Sequence, residues 1–438
     1  MATKKSGTSS TKTNVKRVTK AVSKYDTSKS VQDNAEAIGG VVTATATSAK
    51  RSKTQKQKTF FIVLLVIVII AIVGTLIYGY YNGWFDSLLG KEQTEQGSTG
   101  WDNPPSTGGN DDTPGTGGND GAIADMSIHF IDFGNSSSGD CVYIKAGDTD
   151  ILIDGGSTQN SASVIQQYVD KYCSDGILEY VIVTHSDTDH IYAFTTSASS
   201  GGGIFERYEC KTIIDFNKVK EESATLRTYY ARRDAEVAAG ANHYTALECY
   251  NNENGAQRIY DLADGITMEI LYQKFYEQVS SDNNNHSVCV MFTQGDNHYL
   301  FTGDLEKAGE ESLVASNPNL PEVELFKAGH HGSATSTNDV LLRVIKPKYV
   351  IASCVAGDRR YGFPRQDFID RVAPYTDNVY ITMLHPDDQP TMGSMNGNIV
   401  FSCVDGVIEV HGSNNDLKLK DTEWFKQNRV CPDAWKTE

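Results

Sequence analysis

The stretch His185-Ser186-Asp187-Thr188-Asp189-His190 carries four side chains that can bind a metal ion. It directly follows the apolar run 177–183, which predicts a buried strand. A tight loop at the end of a strand can share closely spaced imidazole and carboxylate ligands between two ions. The stretch therefore predicts a platform for two metal ions, which favours a metal-dependent hydrolase.

Other candidate ligands also come directly after predicted strands. They are Asp154, Asp304, His330 and His331. Loops at strand ends can converge on one point, and a metal pair held there can bring the pKa of a bridging water close to neutrality. The expected nucleophile is then a metal-bound hydroxide, and no Ser or Cys is required. The alternative, a solvated polar loop, is less favoured because the segments TGD and GHHGS follow downstream.

Strand and helix patterns over residues 125–438 predict one hydrolase domain. The predicted strands are 126–133, 141–145, 150–153, 177–183, 288–293, 299–302, 322–328, 349–353, 398–403 and 407–410. The predicted helices are 161–173, 221–240, 305–315 and 338–345. Two strand-rich halves with helices outside them indicate an α/β (α+β) fold, a four-layer αββα sandwich.

The first 124 residues differ from this domain in composition. Residues 1–58 carry 13 Lys or Arg against 3 Asp or Glu and predict a basic, disordered tail. Residues 59–81 contain no charged residue and can cross a hydrocarbon core of roughly 30 Å, so we expect an uncleaved transmembrane helix. Residues 82–124 are rich in Gly, Pro, Thr and Asp and predict a tether.

Charge around the apolar span predicts its orientation. Basic residues come just before the span and acidic residues after it, which places the N-terminus in the cytoplasm and the large domain outside the cell. The basic tail is also expected to contact anionic lipid. The chain has a net charge of −17, and the tail contributes +10, so the remainder carries −27. This balance disfavours a broad basic surface for nucleic acid but permits a local basic patch.

The eight cysteines all belong to the C-terminal domain, and no CxxC pair is present. An extracellular location would permit disulfides. Cys141, Cys289 and Cys403 lie inside apolar runs, so buried thiols are the favoured interpretation for these three.

Seven motifs in a fixed order resemble those of one family. They are HFIDFGNSSSGDCVYI (129–144), ILIDGG (151–156), THSDTDH (184–190), NNHSVCVMF (284–292), LFTGDLE (300–306), KAGHHGS (327–333) and RRYGFP (359–364). The set resembles the metallo-β-lactamase superfamily, and within it the hydrolase domain at the C-terminus of ComEC-type competence DNA-channel proteins. The resemblance covers residues 126–412.

The resemblance implies a role for each residue of the hexapeptide. The common superfamily motif is HxHxDH, and the ComEC-type branch resembles this chain in having Asp at the position of Asp187. By that resemblance, His185 and Asp187 serve one metal ion, and Asp189 and His190 serve the other. Asp304 would bridge or approach both ions, which we expect to be divalent, Zn or Mn.

The resemblance also implies roles around these ligands. Either His330 or His331 would complete a metal shell, and the sequence leaves that choice open. Asp154 would support the His/Asp loop by hydrogen bonding, and Ser333 would shape a turn or orient a ligand. The residues expected to carry catalysis are Asp189, His190 and Asp304.

Two segments depart from the family pattern. ComEC-type domains have YGHP where this chain has Tyr361-Gly362-Phe363-Pro364, which removes a possible ligand or proton donor. They also have GG after the DH pair, where this chain has Ile191-Tyr192-Ala193. Near the first departure, Arg359, Arg360 and Tyr361 are candidates for substrate binding, since guanidinium groups suit phosphate. The alternative for the arginines is that they are surface charges.

These features predict a membrane-anchored, extracellular, metal-dependent hydrolase. A phosphodiesterase or nuclease is favoured, with DNA as the leading substrate by resemblance. One alternative is a hydrolase of another ester or amide, such as a cell-wall phosphoester, a lactone or a β-lactam. The negative charge of the domain favours small or neutral substrates, because it repels a polyanion at long range. Another is a non-catalytic surface binding protein whose metal site has decayed.

Overall fold

The computed structural model describes residues 123–197 and 201–436, which contain two β-sheets. The eight-stranded sheet consists of β1 (Met126–Phe130), β2 (Val142–Ala146), β3 (Thr149–Ile153), β4 (Ile177–Ile182), β5 (Glu209–Asp215), β6 (Asn242–Thr245), β14 (Ile399–Val404) and β15 (Val407–Gly412). The seven-stranded sheet consists of β7 (Ile259–Ala263), β8 (Ile266–Leu271), β9 (Cys289–Gln294), β10 (Asn297–Phe301), β11 (Leu325–Lys327), β12 (Tyr349–Ala356) and β13 (Val379–Leu384).

Each sheet has an antiparallel part and a parallel part. The order of the first sheet is β15-β14-β1-β2-β3-β4-β5-β6, and the pairs from β3 to β6 are parallel. The order of the second is β13-β12-β11-β10-β9-β8-β7, and the pairs from β10 to β13 are parallel. Parallel neighbours bring their carboxyl ends to the same edge of a sheet, which is where loops can build a binding site.

The two sheets pack face to face around an aromatic core. Phe130 on β1 stacks against Phe301 on β10, with ring centroids 6.4 Å apart. Phe401 on β14 meets the edge of Tyr299 on β10, with centroids 5.4 Å apart. All four rings are almost fully buried, and such pairs add roughly 0.5–1.5 kcal/mol each beyond the burial of their area.

Ten α-helices accompany the two sheets in the described part of the chain. They are α1 (Ser161–Val169), α2 (Thr188–Thr195), α3 (Ile204–Arg207), α4 (Ala224–Ala239), α5 (Ala246–Asn251), α6 (Lys307–Ser316), α7 (Asp339–Ile345), α8 (Gln366–Val372), α9 (Gln389–Met392) and α10 (Glu423–Asn428). Alternation in β9 shows the layering: Val290 and Phe292 join the core between the sheets, whereas Cys289 and Met291 pack with α6 and α7. The predicted α/β class is confirmed, and on the seven-stranded sheet the helices lie on the face opposite the shared core.

Several elements differ from the sequence prediction. Helix α1 ends at Val169 rather than at residue 173. Strands β5 to β8 and β13 were not predicted; β6, with the sequence NHYT, has no apolar alternation to reveal it. Its parallel pairing with β5 therefore defines β6 as a strand, as tertiary context can where local pattern is weak.

The predictions for the N-terminal region fall outside the described residues. These are the basic tail (1–58), the transmembrane helix (59–81) and all but the last two residues of the tether (82–124). Within residues 123–197 and 201–436, no helix combines the length and hydrophobicity needed to cross a bilayer.

The cysteines of the domain are free thiols. Cys141, Cys289 and Cys403 are all buried and unpaired, which confirms the interpretation of the three apolar runs. Burial also raises the pKa of the Cys141 thiol well above its usual value, and the carboxylates of Asp154 and Asp140 raise it further.

Candidate metal centre

The candidate ligands meet where parallel strands of both sheets end. In the first sheet, Asp154 follows β3 and His185 comes three residues after β4. In the second sheet, Asp304 comes three residues after β10, and His330 and His331 come after β11. Each sheet therefore supplies part of a single cluster of His and Asp side chains.

The hexapeptide is divided between a strand end and a helix. Residues 183–187 leave β4 without regular structure, and Asp187 is the extended residue just before α2. Asp189 and His190 lie in the first turn of α2. The prediction of a tight loop for the whole stretch is therefore wrong in its second half. The helix fixes the backbone of two candidate ligands more firmly than a loop would.

Asp304 lies at the centre of the cluster. Its Oδ2 is 3.3 Å from Nε2 of His190 and 3.4 Å from Nε2 of His331. Nε2 of His331 is also 3.3 Å from Oδ2 of Asp189. The structure thus brings Asp189, His190, Asp304 and His331 together.

His185 lies beside His190, and Asp187 is held by a residue from another part of the chain. The imidazole centroids of His185 and His190 are 4.1 Å apart. Asp187 accepts a hydrogen bond on Oδ1 from the Asn283 side chain at 2.9 Å. Asn283 comes from a short helical turn before β9, a source of support that the sequence analysis did not identify.

Unpartnered buried atoms test whether this cluster suits a metal ion. Nε2 of His185, His190 and His331 and Oδ1 of Asp304 are all buried, and none has a hydrogen-bond partner among the described residues. A buried polar atom without a hydrogen-bond partner destabilises the folded protein by about 1–3 kcal/mol, so such atoms are rare outside functional sites. Imidazole nitrogens with carboxylate oxygens are donors for Zn or Mn, and the residues present therefore fit divalent ions.

The structure distinguishes His331 from His330. His331 is buried, and its Nδ1 donates a hydrogen bond to the Ser353 carbonyl at 2.8 Å, which leaves Nε2 available toward Asp304. His330 is partly exposed, and its Nε2 is 3.7 Å from Asp304. His331 is thus the better placed ligand, whereas His330 lies in the wall of the cleft.

Asp154 and Ser333 occupy different kinds of position. Asp154 accepts hydrogen bonds from the backbone and hydroxyl of Thr184 and from Nδ1 of His190, each at 2.8 Å. It thereby directs Nε2 of His190 toward Asp304. The hydroxyl of Ser333 instead pairs with Thr335 within a turn, so Ser333 shapes the loop that follows the two histidines.

Asp140 and Lys327 form a buried ion pair that the sequence analysis did not identify. Both side chains are at most 3 % exposed. Asp140 lies near the Nδ1 atoms of His331 and His190, at 3.3 and 3.9 Å. Asp140 is close enough to be grouped with the metal-capable residues. However, it lies beside the Nδ1 atoms of the two rings, whereas their Nε2 atoms lie toward Asp304. We therefore assign Asp140 to orienting His331 and not to binding metal.

The carboxylates of the cluster favour the protonated form of two of its histidines. Burial lowers the pKa of His331, but Asp304 and Asp140 outweigh it and raise that pKa to about 10. Burial also lowers the pKa of His190, but Asp304 and Asp154 outweigh this effect and raise that pKa well above its usual value. Burial lowers the pKa of His185 to about 4, and His190 lowers it further. A cation bound here would neutralise the carboxylates in place of the imidazole protons, so metal binding would release those protons.

An open cleft of about 270 Å³ leads to the cluster. Its walls are Ser138, Asp187, Asp189, Asp282, Asn284, Asp304, His330, His331, Tyr361 and Phe363. Of the three predicted substrate-binding residues, Tyr361 lines this cleft and Arg360 lies over the Tyr361 ring. Arg359 points elsewhere, toward Asp387 on the surface at 3.4 Å.

The segments of the chain that carry the candidate ligands match a known protein family. Residues 135–199 and 281–356 match the family described as the metallo-beta-lactamase superfamily, and these two segments contain every candidate ligand. The domain belongs to the metallo-β-lactamase superfamily. The resemblance stated from the motifs is confirmed, and with it the prediction of a metal-dependent hydrolase as the class of enzyme.

Relatives of this metallo-β-lactamase domain include competence proteins. The chain is 25 % identical over 220 residues to ComE operon protein 3 of Bacillus subtilis (strain 168), and 26 % identical over 227 residues to Recombination protein 2 of Haemophilus influenzae. The matches cover 49 % and 51 % of this chain but 24 % of each relative. Among solved structures, CmlA, a diiron β-hydroxylase from Streptomyces venezuelae, is similar with a TM-score of 0.32 and 12 % identity, over 56 % of this chain and 47 % of CmlA.

The two adjacent histidines of this metallo-β-lactamase domain provide a matched test. We expect His331→Ala to weaken metal binding at least about tenfold, since even loss of an outer partner costs about 10–100-fold. His330→Ala should change it far less, because His330 is partly exposed at the cleft wall. Titration of the metal-stripped variants with Zn and with Mn measures both affinities. Equal losses in the two variants would contradict the assignment.

The buried ion pair provides a second test. We expect Lys327→Met to lower the free energy of unfolding by about 3–5 kcal/mol, because Asp140 keeps a buried charge without its partner. Adding Asp140→Leu should restore much of that loss. Urea unfolding measures both effects, with Lys346→Met, from an exposed pair with Glu322, as the control. If Lys327→Met were as mild as the control, the buried pair would not be a structural requirement.

Proposed function

We propose that this domain is a metal-dependent phosphodiesterase that holds two divalent ions, Zn or Mn, and cleaves DNA. The observation that carries the proposal is the set of buried Nε2 atoms of His185, His190 and His331, which have no hydrogen-bond partner among the described residues. Those of His190 and His331 lie within 3.4 Å of Asp304, in the wall of an open cleft. Donors of this kind suit hydrolysis without a side-chain nucleophile.

The residues divide into two sets of ligands around Asp304. His185 and Asp187 would hold one ion, and Asp189, His190 and His331 the other. When bound, divalent ions supply Lewis acidity and a water whose pKa is close to neutrality. The chain's own contribution is to keep the donors in place: Asp154 fixes the His190 ring, and the Ser353 carbonyl fixes the His331 ring. A scissile ester can reach them because the cleft is open to solvent.

DNA is proposed as the substrate because of the relatives. Two of them, by name, are a ComE operon protein and a recombination protein, and another is the competence protein ComA of Neisseria gonorrhoeae. The exposed guanidinium of Arg360 beside the cleft supplies a local positive charge for a phosphate. It would act at short range within a domain whose overall charge is negative.

Two alternatives have weaker support. Hydrolysis of another ester or amide would use the same donors, and the negative charge of the chain favours a small or neutral substrate. A decayed, non-catalytic site is suggested by Phe363 in place of the family His. However, the four ligands of the hexapeptide are all retained, and Phe363 packs against the ring of His331.

Anchoring in the membrane completes the proposal. The uncharged segment 59–81 would form one transmembrane helix, with residues 1–58 in the cytoplasm and the hydrolase domain outside the cell. The acidic, Gly-rich segment that follows would hold the domain away from the lipid surface.

Activity tests the proposed chemistry. The full-length chain, loaded with Mn or Zn, should cleave DNA or bis-p-nitrophenyl phosphate. Asp189→Ala should reduce the rate at least about a hundredfold, because a catalytic metal is worth several kcal/mol. Asp387→Ala, an exposed carboxylate paired with Arg359, is the control and should retain activity. Bound metal without cleavage of any phosphodiester would refute the phosphodiesterase and favour another ester or amide.

Location is tested separately. The protein should stay in the membrane fraction after extraction at alkaline pH, and a protease added to intact cells should remove the C-terminal domain. A cytoplasmic marker protein, which should remain uncut, is the control. Release by alkaline extraction, or protection of the domain in intact cells, would contradict the proposed arrangement.

A further inference from the structure

The ring of Tyr361 is an exposed aromatic surface beside the metal centre. Tyr361 is 48 % exposed, which is high for a large aromatic side chain, whereas Phe363 is 4 % exposed. The two rings are stacked, with centroids 5.3 Å apart and an angle of 14° between their planes. Gly362 between them has a φ of 68°, a conformation that allows the side chains on either side to come together.

The stacked pair connects directly to the ligand cluster. The ring of Phe363 lies 5.7 Å from that of His331 and 5.9 Å from that of His330. Tyr361 and Phe363 also line the same cleft as Asp189 and Asp304. A substrate whose ester reaches the metal donors therefore occupies the cleft that the Tyr361 ring lines.

The segment that carries the pair is held by arginine side chains. Arg429 donates hydrogen bonds to the carbonyls of Gly362 and Pro364 at 2.8 and 2.9 Å. Arg365 donates to the Tyr361 carbonyl at 3.2 Å. The backbone beneath the exposed ring is therefore fixed before any ligand arrives, which lowers the entropic cost of binding.

A cation accompanies the exposed ring. The guanidinium of Arg360 lies 4.7 Å from the centroid of the Tyr361 ring. Arg359 pairs with Asp387, but Arg360 forms no ion pair with any carboxylate in the described part of the chain. An exposed aromatic ring with an arginine that has no acidic partner suits a ligand that combines a planar ring with a phosphate.

We propose that Tyr361 and Arg360 form a subsite for one nucleotide of single-stranded DNA next to the cleaved phosphodiester. Tyr361 stacks on the base, and Arg360 pairs with the adjoining phosphate. Bases in a duplex are already stacked and paired, so this subsite favours single strands. The inference rests on the proposed phosphodiesterase function and specifies its substrate class.

The test compares two oligonucleotides of equal length: oligo(dT), and a chain in which every nucleotide is abasic. Both have the same charge, and only the first can stack. The full-length protein with Mn or Zn should bind oligo(dT) more tightly, by about five- to a hundredfold, since one stacked base contributes this much. Fluorescence anisotropy gives the affinities, and cleavage of both oligonucleotides is followed in parallel.

Variants at Tyr361 identify the source of the preference. Tyr361→Ala should bring the ratio of the two affinities close to one, whereas Tyr361→Phe, which keeps the ring, should preserve it. Val430→Ala, at an exposed apolar residue that does not line the cleft, is the control for surface change. A preference that persists in Tyr361→Ala, or its absence from the unmodified protein, would overturn the subsite.

The same data separate this inference from the function on which it rests. Cleavage of DNA with an equal ratio in Tyr361→Ala and the unmodified protein would leave the phosphodiesterase standing and refute the subsite. A preference that depends on Tyr361, without cleavage of either oligonucleotide or of any other phosphodiester tested, would support the subsite and refute the phosphodiesterase.

Discussion

The burial of Asp304 between two imidazoles is the constraint on which this domain depends. Its carboxylate is almost inaccessible to water and lies within 3.4 Å of both His190 and His331. A buried charge is tolerated only when it is paired, so each neighbour must be held in one orientation. Asp154 holds His190, while the Ser353 carbonyl and Asp140 hold His331. Asp140 in turn requires the buried Lys327, so one carboxylate at the centre determines a wider polar network.

This arrangement requires strained backbone conformations at several residues near the cluster. Asp154, His330 and His331 have φ values of 62°, 46° and 56°, in the left-handed region that side chains other than Gly rarely adopt. Gly303, just before Asp304, has a φ of 53°, and a Cβ there would lie 2.8 Å from the Ser287 hydroxyl. Strained residues of this kind cost on the order of 1–3 kcal/mol each and are kept where geometry matters more than stability.

The sequence predicted the fold class and the strand ends because apolar runs and the polar residues after them leave a local pattern. His185 and Asp304 could be found this way. Lys327 could not, because a lysine at the end of a strand is ordinarily taken as a surface charge, and only tertiary packing places it against Asp140. Asn283 was missed for the same reason: it contacts Asp187 across 96 residues of chain. The choice of His331 over His330 also needed the fold, since it depends on which ring faces the Ser353 carbonyl.

The ligands come from two sheets, and this origin has a mechanical consequence. His190 lies in the first turn of α2, which follows a strand of the eight-stranded sheet, while Asp304 and His331 follow strands of the seven-stranded sheet. An ion held by all three would cross-link the two sheets at one edge of the sandwich. Ligands that bind only the folded state stabilise it in proportion to the logarithm of their concentration. The rigidity of this edge would then follow the supply of metal around the protein.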